Sequence, residues 1–392
     1  MPLQKIRNFF ELEAAAGITL GISALIAIII ANSPLSGAFD NWLHYEIPVQ
    51  IGTWSHTADV KHWVKDGLMA IFFFHVGLEI KKEIMEGELS DAKKLALPVF
   101  GALGGMIMPA LIFIAVIMLE GHQDLIKGWT IPVATDIAFA VAAIAVVAKN
   151  IPSSLKIFLL TLAVVDDLGA VVLIAALYSS NIDYVALSWS LGIFVVLLAL
   201  PRLGIRRPWV FVMGGLVMWA FMLQSGFHPT LAGVMTAITV PLKSNSDAFE
   251  SPLEDLHDDF SAWVKYAIMP LFALTHAGFS FSGMGISTIL SPLVVAIVCG
   301  LSIGKPLGVL GMVYFSKIIG IARIPENITM RQLLGVGALC GIGFTMSLFL
   351  GGLSYADKGE IISNELKMGV FLGSIISGII GIALLAKSNE KA

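Results

Sequence analysis

Apolar residues fill this chain in long, nearly uninterrupted runs, and most polar residues lie between those runs. A helical run of about 20 residues spans the hydrocarbon of a bilayer. Because backbone groups in hydrocarbon must find partners within their own segment, such runs predict transmembrane helices. The pattern predicts about twelve spans, near residues 12–32, 62–85, 96–118, 127–147, 154–178, 183–201, 209–223, 227–241, 259–279, 290–316, 330–353 and 361–386.

The composition agrees with a membrane protein. The chain is 57% hydrophobic and 13% charged, with a mean hydropathy of +0.87, whereas about a quarter of the residues in a soluble domain are charged. The sequence has no basic cluster of the kind that binds nucleic acid. It also has no nucleotide-binding or covalent-catalysis motif, so we expect neither an enzyme nor a cofactor. Most Lys and Arg residues fall on the side that holds both termini, which predicts cytoplasmic termini.

One connection has the pattern of a strand. Between the first two spans, Ile47, Val49 and Ile51 alternate with other residue types, and this period of two is typical of a strand. We expect a small external β-hairpin over residues 45–58, with an irregular loop as the alternative. The predicted fold class is an all-α polytopic membrane protein of one domain, residues 1–392, with this hairpin outside the membrane.

Two adjacent aspartates, Asp166 and Asp167, lie at the midpoint of the fifth predicted span. An ionisable residue at the centre of a membrane helix costs roughly 2.5–3.5 kcal/mol. The pair therefore costs a large fraction of a protein's total stability, which is roughly 5–15 kcal/mol. A cost of this size indicates that the pair has a function.

Two predicted spans carry residues that interrupt a helix. In the fourth span, Pro132 removes a backbone donor one turn before Asp136. In the eleventh span, Gly341 and Gly343 lie at membrane depth. Interrupted helices at corresponding positions of two halves indicate the ion site of a secondary transporter, although glycines also serve close packing. The spacing suggests an inverted repeat of spans 3–5 (about 96–178) and spans 10–12 (about 290–386).

Asp136 adds a third carboxylate at membrane depth, and Lys305 in the tenth span adds an ammonium. The ends of interrupted helices carry partial charges of about +0.5 and −0.5, so a carboxylate suits one kind of end and an ammonium the other. These two residues either stabilise the helix ends or bind the ion, and the residues alone leave both roles open.

Several motifs resemble those of the NhaA-type sodium/proton antiporters, a bacterial family. They occur in the family's order between Phe9 and about Leu384: Gly77-Leu-Glu-Ile-Lys-Lys-Glu83, Ala134-Thr-Asp-Ile-Ala-Phe139, Val165-Asp-Asp-Leu-Gly169, Gly304-Lys-Pro-Leu-Gly308 and Cys340-Gly-Ile-Gly-Phe-Thr-Met-Ser347. The resemblance implies a multi-pass inner-membrane exchanger with twelve spans, crossed interrupted helices four and eleven, and a homodimer joined partly through the hairpin. It also implies that Asp166 and Asp167 form the ion site, that Asp136 and Lys305 support it, and that Thr135 lines it.

The chemistry of a buried aspartate pair agrees with exchange. Burial and a neighbouring like charge both make an ionised carboxylate more costly, so the site can hold protons or a small cation, Na⁺ or Li⁺. When the two ions compete for one site that opens to each side in turn, their flows are coupled. We expect an electrogenic, pH-regulated exchange of cytoplasmic Na⁺ for external H⁺. Asp167 is the expected main Na⁺ ligand, and Asp166 the expected proton carrier that pairs with Lys305 in the empty state.

Regulation is the point at which this chain departs from the family it resembles. Family members commonly begin span nine with a Leu-Glu-His…His-Pro-Trp cluster thought to sense cytoplasmic pH, whereas this chain reads Leu256-His-Asp-Asp-Phe-Ser-Ala-Trp263. His257 stands where the glutamate is expected. For His228, a structural role is the alternative to pH sensing. The candidate pH-sensing residues are Glu79, Lys82, Glu83, His257 and His228.

Other classes of membrane protein also bury carboxylates. A sodium-coupled symporter of an organic anion is the main alternative, because it uses interrupted helices but needs a larger substrate cavity. An intramembrane aspartyl protease needs two aspartates on facing helices, and the sequence lacks its Gly-x-Gly-Asp signature. A passive channel fits less well, since paired buried charges favour tight binding over rapid conduction.

Overall fold

The long apolar runs fold as helices. The computed structural model describes residues 14–51, 54–87, 92–147, 151–179, 181–242, 251–322, 324–325 and 328–387. The described α-helices are Ala15–Ala31, Ser36–Leu43, Val60–Trp63, Met69–Met85, Ala92–Leu119, Ile137–Val147, Ser153–Leu177, Tyr184–Ala199, Pro208–Ser225, Thr230–Thr239, Pro252–Trp263, Met269–His276, Ile286–Ile289, Pro292–Cys299, Lys305–Ile318, Met330–Cys340, Phe344–Ser354 and Glu360–Ala386. Gln123–Val133 is a 3₁₀ helix, and the π-helical segments Val64–Leu68, Val264–Ile268 and Gly300–Gly304 each join two α-helices.

Many large apolar side chains on these helices point outward. Ile29 is 65% exposed, Leu111 56% and Val172 58%, and a lipid environment covers such surface. Five described helices are long and apolar enough to cross a bilayer alone, and the number is eight if each of three bent pairs forms one span. The helical, apolar character is therefore confirmed, while the twelve spans and the inverted repeat stay predictions.

The structure contains one helix that the sequence pattern did not predict, and another helix begins earlier than predicted. Helix Ser36–Leu43 follows the first helix after a bend of 115° and occupies part of the expected loop. The helix of predicted span nine begins at Pro252 rather than near residue 259. It begins early because the Ser251 hydroxyl accepts a hydrogen bond from the Glu254 N–H at 3.5 Å, and because a proline suits the first helical turn.

The predicted hairpin is present. Strands β1 (Glu46–Ile51) and β2 (Trp54–Asp59) are antiparallel, with Glu46 opposite Asp59. Residues 52–53, which connect the strands, lie outside the described residues. The external position of the hairpin stays a prediction.

Both predicted helix interruptions are present. The first interrupted helix consists of Gln123–Val133 and Ile137–Val147, which meet at 50°. The second interrupted helix consists of Met330–Cys340 and Phe344–Ser354, which meet at 48°. The first break follows Pro132 within two residues, as a missing backbone donor predicts. Their crossing stays a prediction.

The chain divides into two compact units. The first lies within residues 1–32, 88–170 and 277–392, and the second comprises residues 33–87 and 171–276. The first unit contains both interrupted helices and a core of fully buried side chains that includes Leu155, Leu162, Val309 and Leu339. The second unit contains the hairpin and the candidate pH-sensing residues.

Asp59 joins the hairpin to a continuous helical run, residues 60–85. Its carboxylate accepts hydrogen bonds from the backbone N–H of His62 and from ring Nδ1 of His62, each at 2.7 Å. Burial alone would raise the pKa of Asp59, but the hydrogen bonds and the charge of His62 outweigh it and hold this pKa below its usual value. The ionised Asp59 therefore stabilises the start of the helix.

We expect Asp59→Ala to lower the free energy of unfolding by about 1 kcal/mol at pH 7, because the cap is lost. Since folding depresses the pKa of Asp59, its stabilisation is complete above the unfolded value of about 3.9 and disappears as the pH falls through the lower folded value. Thermal unfolding of the purified protein at neutral and acidic pH measures both effects. Asp40→Ala removes a carboxylate that is 68% exposed and is the control, so an equal loss in both variants would contradict this role.

Candidate functional site

The ion-site residues predicted from the sequence are all buried in the first unit. Thr135, Asp136, Asp166 and Lys305 are 0% exposed, and Asp167 is 1% exposed. They come from the break of the first interrupted helix, from the middle of helix Ser153–Leu177 and from the start of helix Lys305–Ile318. The fold therefore concentrates three carboxylates and one ammonium in its interior.

Lys305 and Thr135 hold one oxygen of Asp166. Lys305 Nζ donates a hydrogen bond to Asp166 Oδ2 at 2.5 Å, and the Thr135 hydroxyl donates to the same oxygen at 2.7 Å. Lys305 Nζ also donates to Thr135 Oγ1 at 3.0 Å. A buried ion pair of this kind is favourable only while both partners are present. Lys305 is therefore the counterion of Asp166 in this conformation.

Thr135 connects this ion pair to the second interrupted helix. Its hydroxyl also lies 2.8 Å from the backbone carbonyl of Cys340, the last residue of helix Met330–Cys340. A hydroxyl has one proton, so Thr135 donates either to Asp166 or to this carbonyl at any moment. The charge on Asp166 is thereby coupled to the hydrogen bonding of a helix end.

The second oxygen of Asp166 differs from the first. Asp166 Oδ1 is buried and accepts no hydrogen bond from any described residue. Unpaired buried oxygens are rare in native proteins and require an explanation. The two oxygens of Asp166 therefore have different hydrogen-bonding environments.

Asp167 follows Asp166 on the same helix. Adjacent helix positions point about 100° apart, and the ion pair of Lys305 is made with Asp166. Asp166 is thus the member of the doublet that pairs with Lys305, and the division of roles between the two carboxylates stays a prediction.

Asp136 bonds to the first turns of two helices. Its Oδ1 accepts a hydrogen bond from the Phe139 N–H at 3.3 Å. Its Oδ2 accepts from the Thr345 N–H at 3.1 Å and from the Thr345 hydroxyl. The Asp136 N–H donates to the Ile342 carbonyl at 2.7 Å. Because helix N-termini carry positive partial charge, this geometry supports the helix-stabilising role of Asp136.

Hydroxyls, rather than the Lys305 ammonium, lie at the carbonyl ends next to the two breaks. Thr135 reaches the Cys340 carbonyl, and the Ser347 hydroxyl donates to the Ile131 carbonyl at 2.6 Å. Thr345 and Ser347 were thus missed as residues that hold the two breaks together. The available signal was the presence of hydroxyl residues within one turn of Gly343.

Backbone packing fixes the position of Lys305. The residue directly follows the π-helical segment Gly300–Gly304 and begins helix Lys305–Ile318. That helix packs on helix Ala92–Leu119 at Gly308 and Gly104, and a Cβ added to either glycine would collide with the carbonyl of the other. The two backbones are therefore in direct contact beside the ion pair.

The candidate pH-sensing residues lie in two places in the second unit: His257, Glu79, Lys82 and Glu83 form one group, and His228 lies apart from it. The His257 ring stacks on the His75 ring with centroids 4.7 Å apart, and His257 Nδ1 lies 3.0 Å from Asp258 Oδ1. This hydrogen bond and the charge of His257 hold the pKa of the exposed Asp258 below its usual value. Lys82 Nζ lies 3.2 Å from Glu254 Oε1. Glu79 and Glu83 lie on the same helix as Lys82, Met69–Met85.

His228 lies away from that group. Its Nδ1 is 2.7 Å from the Thr230 hydroxyl, and its Nε2 is 3.8 Å from Asp66 Oδ1. Asp66, the neighbour of His228, and Lys82 lie on one helical run. At a rise of 1.5 Å per residue they are roughly 24 Å apart, so His228 is far from the group that contains Lys82. The ring partner of His257 is His75, which lies on the same helix as Lys82.

The whole chain is similar to known sodium/proton antiporters. The family model described as Na⁺/H⁺ antiporter 1 matches residues 7–385. A protein of Haemophilus influenzae (strain 86-028NP), named Na(+)/H(+) antiporter NhaA, is 42% identical over 391 residues, which cover 99% of this chain and 96% of that protein. A protein of Pseudomonas syringae pv. syringae (strain B728a), named Na(+)/H(+) antiporter NhaA 2, is 44% identical over 386 residues, covering 98% and 96%. A protein of Psychrobacter cryohalolentis, named Na(+)/H(+) antiporter NhaA, is 42% identical over 385 residues, covering 98% and 95%.

We expect Lys305→Met to lower the free energy of unfolding by about 3–5 kcal/mol, because it leaves Asp166 buried without its counterion. The double variant Asp166→Asn, Lys305→Met removes both charges and should recover much of this loss. Thermal unfolding of the wild type, both single variants and the double variant measures the coupling between the two residues. Lys317→Met, at an exposed lysine of the same helix, is the control. Strictly additive losses would rule out a direct pair.

Proposed function

The chain belongs to the Na⁺/H⁺ antiporter 1 family, and we propose that it exchanges cytoplasmic Na⁺ (or Li⁺) for external H⁺ as a secondary active antiporter. The observation that carries the mechanism is the environment of Asp166. One of its oxygens is bound by Lys305 and Thr135, whereas the other accepts no hydrogen bond from the described residues. Such a carboxylate can exchange one positive partner for another.

Competition for the aspartate pair couples the two ions. Na⁺ is the transported substrate, with Asp167 as its main proposed ligand and with Asp166 and Thr135 supplying further oxygens. Asp166 carries a proton and returns to Lys305 when neither substrate ion is bound. Since a buried net charge is costly, the site does not cross the membrane readily when it holds neither ion. Exchange therefore dominates over the leak of either ion.

The interrupted helices are the proposed means of access to each side. The contacts that hold the two breaks together involve the same Thr135 that binds Asp166, so a change of ion at the pair changes the hydrogen bonding of a helix end. Asp136 supports the breaks through the N-terminal turns. Because two carboxylates can release more protons than the Na⁺ ions they bind, the exchange is electrogenic.

Membrane topology and assembly complete the proposal. We propose a multi-pass inner-membrane protein with twelve spans, crossed interrupted helices, an inverted repeat and both termini in the cytoplasm. The strands β1 and β2 are proposed to join a homodimer on the external side. The family resemblance and the observed hairpin support this assembly.

The names of the relatives favour exchange over the symport alternative. All three relatives described above are named antiporters. None of these names mentions an organic anion, so the sodium-coupled symporter of an organic anion receives no support.

The central test is Na⁺-induced proton movement in everted membrane vesicles that contain the protein. We expect Asp166→Asn and Asp167→Asn each to lower the rate at least about 100-fold, because each removes a charge on which the competition depends. Li⁺ and K⁺ assayed in parallel define the cation choice.

Asp40→Asn is the matched control, since Asp40 is exposed and pairs with His44 outside the ion site. It should transport at the wild-type rate. Normal exchange by the two ion-site variants, with normal amounts in the membrane, would refute the proposed site.

We propose that His257 contributes to pH regulation, because its ring contacts both His75 and Asp258. His257→Gln should shift the midpoint of the activity–pH profile by roughly half a unit or more and leave the maximal rate unchanged, because it replaces the ring that contacts His75 and Asp258 and lies outside the ion site. The same vesicle assay across a pH series measures the shift. His44→Gln, at an exposed histidine, is the control, and identical profiles for both variants would contradict this role.

A further inference from the structure

The second unit contains an apolar groove that the exchange mechanism does not use. Its volume is about 640 Å³, within the range of about 300–1,000 Å³ that is typical of small-molecule sites. The wall consists of Ile47 of the hairpin and of residues from the helical run 60–85 and from helices Pro208–Ser225, Thr230–Thr239 and Pro252–Trp263. The groove therefore begins at the hairpin and follows the helices.

The lining offers no free hydrogen-bonding side chain. Apart from methionine sulfur, its polar side-chain atoms belong to Trp63, Trp219 and Thr236. Trp63 Nε1 donates to the Ile47 carbonyl at 3.1 Å, Trp219 Nε1 to the Asp66 carbonyl at 2.9 Å, and the Thr236 hydroxyl to the Ala232 carbonyl at 2.7 Å. Each group is satisfied within the protein. The groove is consequently suited to an occupant that makes no hydrogen bonds, such as a hydrocarbon chain.

The end of the groove near the hairpin has the features of a membrane interface. The rings of Trp63 and Trp219 lie there with centroids 6.2 Å apart, and tryptophan is enriched at the level of lipid headgroups. Lys61 follows Val60 of the groove wall and is partly exposed. Its ammonium forms no ion pair with any described residue. A cation on the residue next to the groove wall can complement a lipid phosphate.

We propose that this groove binds one acyl chain of an anionic phospholipid, with the headgroup phosphate at Lys61. The satisfied lining accepts the methylene groups, the two tryptophans mark the depth of the headgroup, and the ammonium supplies its counter-charge. This site is separate from the aspartate pair, and its existence does not depend on ion exchange.

A second segment of the chain provides an internal comparison. Trp263-Val-Lys265 repeats Trp63-Val-Lys65, and each tryptophan directly precedes a π-helical segment. Trp263 also lines a groove, of about 510 Å³. The lining of that groove includes Asp259, an exposed carboxylate, whose charge opposes an anionic headgroup. The two grooves share the lining residues Leu68, Ile71 and Phe260, and only the second is lined by a carboxylate.

Substitutions can fill either groove. A Cβ at Gly67 would lie 3.8 Å from the Trp219 ring and 3.9 Å from the Trp63 ring, an ordinary contact distance. Gly67→Leu therefore adds a branched side chain to the first groove without a backbone collision. Ala267→Leu, at the corresponding position in the wall of the second groove, is the matched control. Lys61→Gln removes the cation alone.

The test is native mass spectrometry of the delipidated, purified protein titrated with phosphatidylglycerol or phosphatidylethanolamine. The wild type should retain one phosphatidylglycerol per chain more tightly than phosphatidylethanolamine. Gly67→Leu should weaken this binding about tenfold or more. Lys61→Gln should weaken phosphatidylglycerol binding and leave phosphatidylethanolamine binding unchanged, and Ala267→Leu should resemble the wild type.

Three results would overturn the proposal. The first is equal phosphatidylglycerol retention by Gly67→Leu and the wild type, when thermal unfolding shows both to be folded. The second is an equal loss in Gly67→Leu and Ala267→Leu, which would indicate nonspecific association. The third is a change in the dimer fraction alone, which would assign the groove to a second copy of the chain. Because the readout is lipid binding, a failure of the exchange mechanism would leave the result unaffected.

Discussion

Backbone groups in hydrocarbon must be hydrogen bonded. At the two helix interruptions, in the interior of the first unit, such groups need partners outside their own helix. Each break exposes N–H groups at the start of one half-helix and carbonyls at the end of another. Asp136 accepts from the Thr345 N–H at one helix start, while Thr135 and Ser347 donate to the carbonyls. Each of these contacts runs from one interrupted helix to the other. Neither break is therefore self-sufficient, and the two form a single structural element.

The charged pair is attached to this element through one hydroxyl. Thr135 accepts a hydrogen bond from Lys305 and has a single proton for two acceptors, Asp166 and the Cys340 carbonyl. A cation or proton at Asp166 alters what that hydroxyl can donate to, and so alters the end of helix Met330–Cys340. The electrostatic event and the backbone event are consequently parts of one change, as alternating access requires.

The sequence predicted the features that depend on composition and on helix-breaking residues. Long apolar runs gave the helices, Pro132 and the glycines gave the two breaks, and the cost of charge in hydrocarbon identified Asp166. What it did not predict depends on tertiary packing. A π-helical segment such as Gly300–Gly304 leaves the apolar pattern intact, so it has no signature in periodicity. The stacking of His75 on His257 arises only when two distant helices pack together. Likewise, the capping hydroxyls are common residue types whose roles follow from where the breaks meet.

The contact between Gly104 and Gly308 determines where the ammonium group of Lys305 lies relative to Asp166. Lys305 lies one turn before Gly308, so the closeness of these two backbones determines how far its side chain must extend to reach Asp166. A methyl group at either position would wedge the helices apart and withdraw the cation from its carboxylate. The electrostatics of the ion site is thus controlled by two places where the protein has no side chain at all.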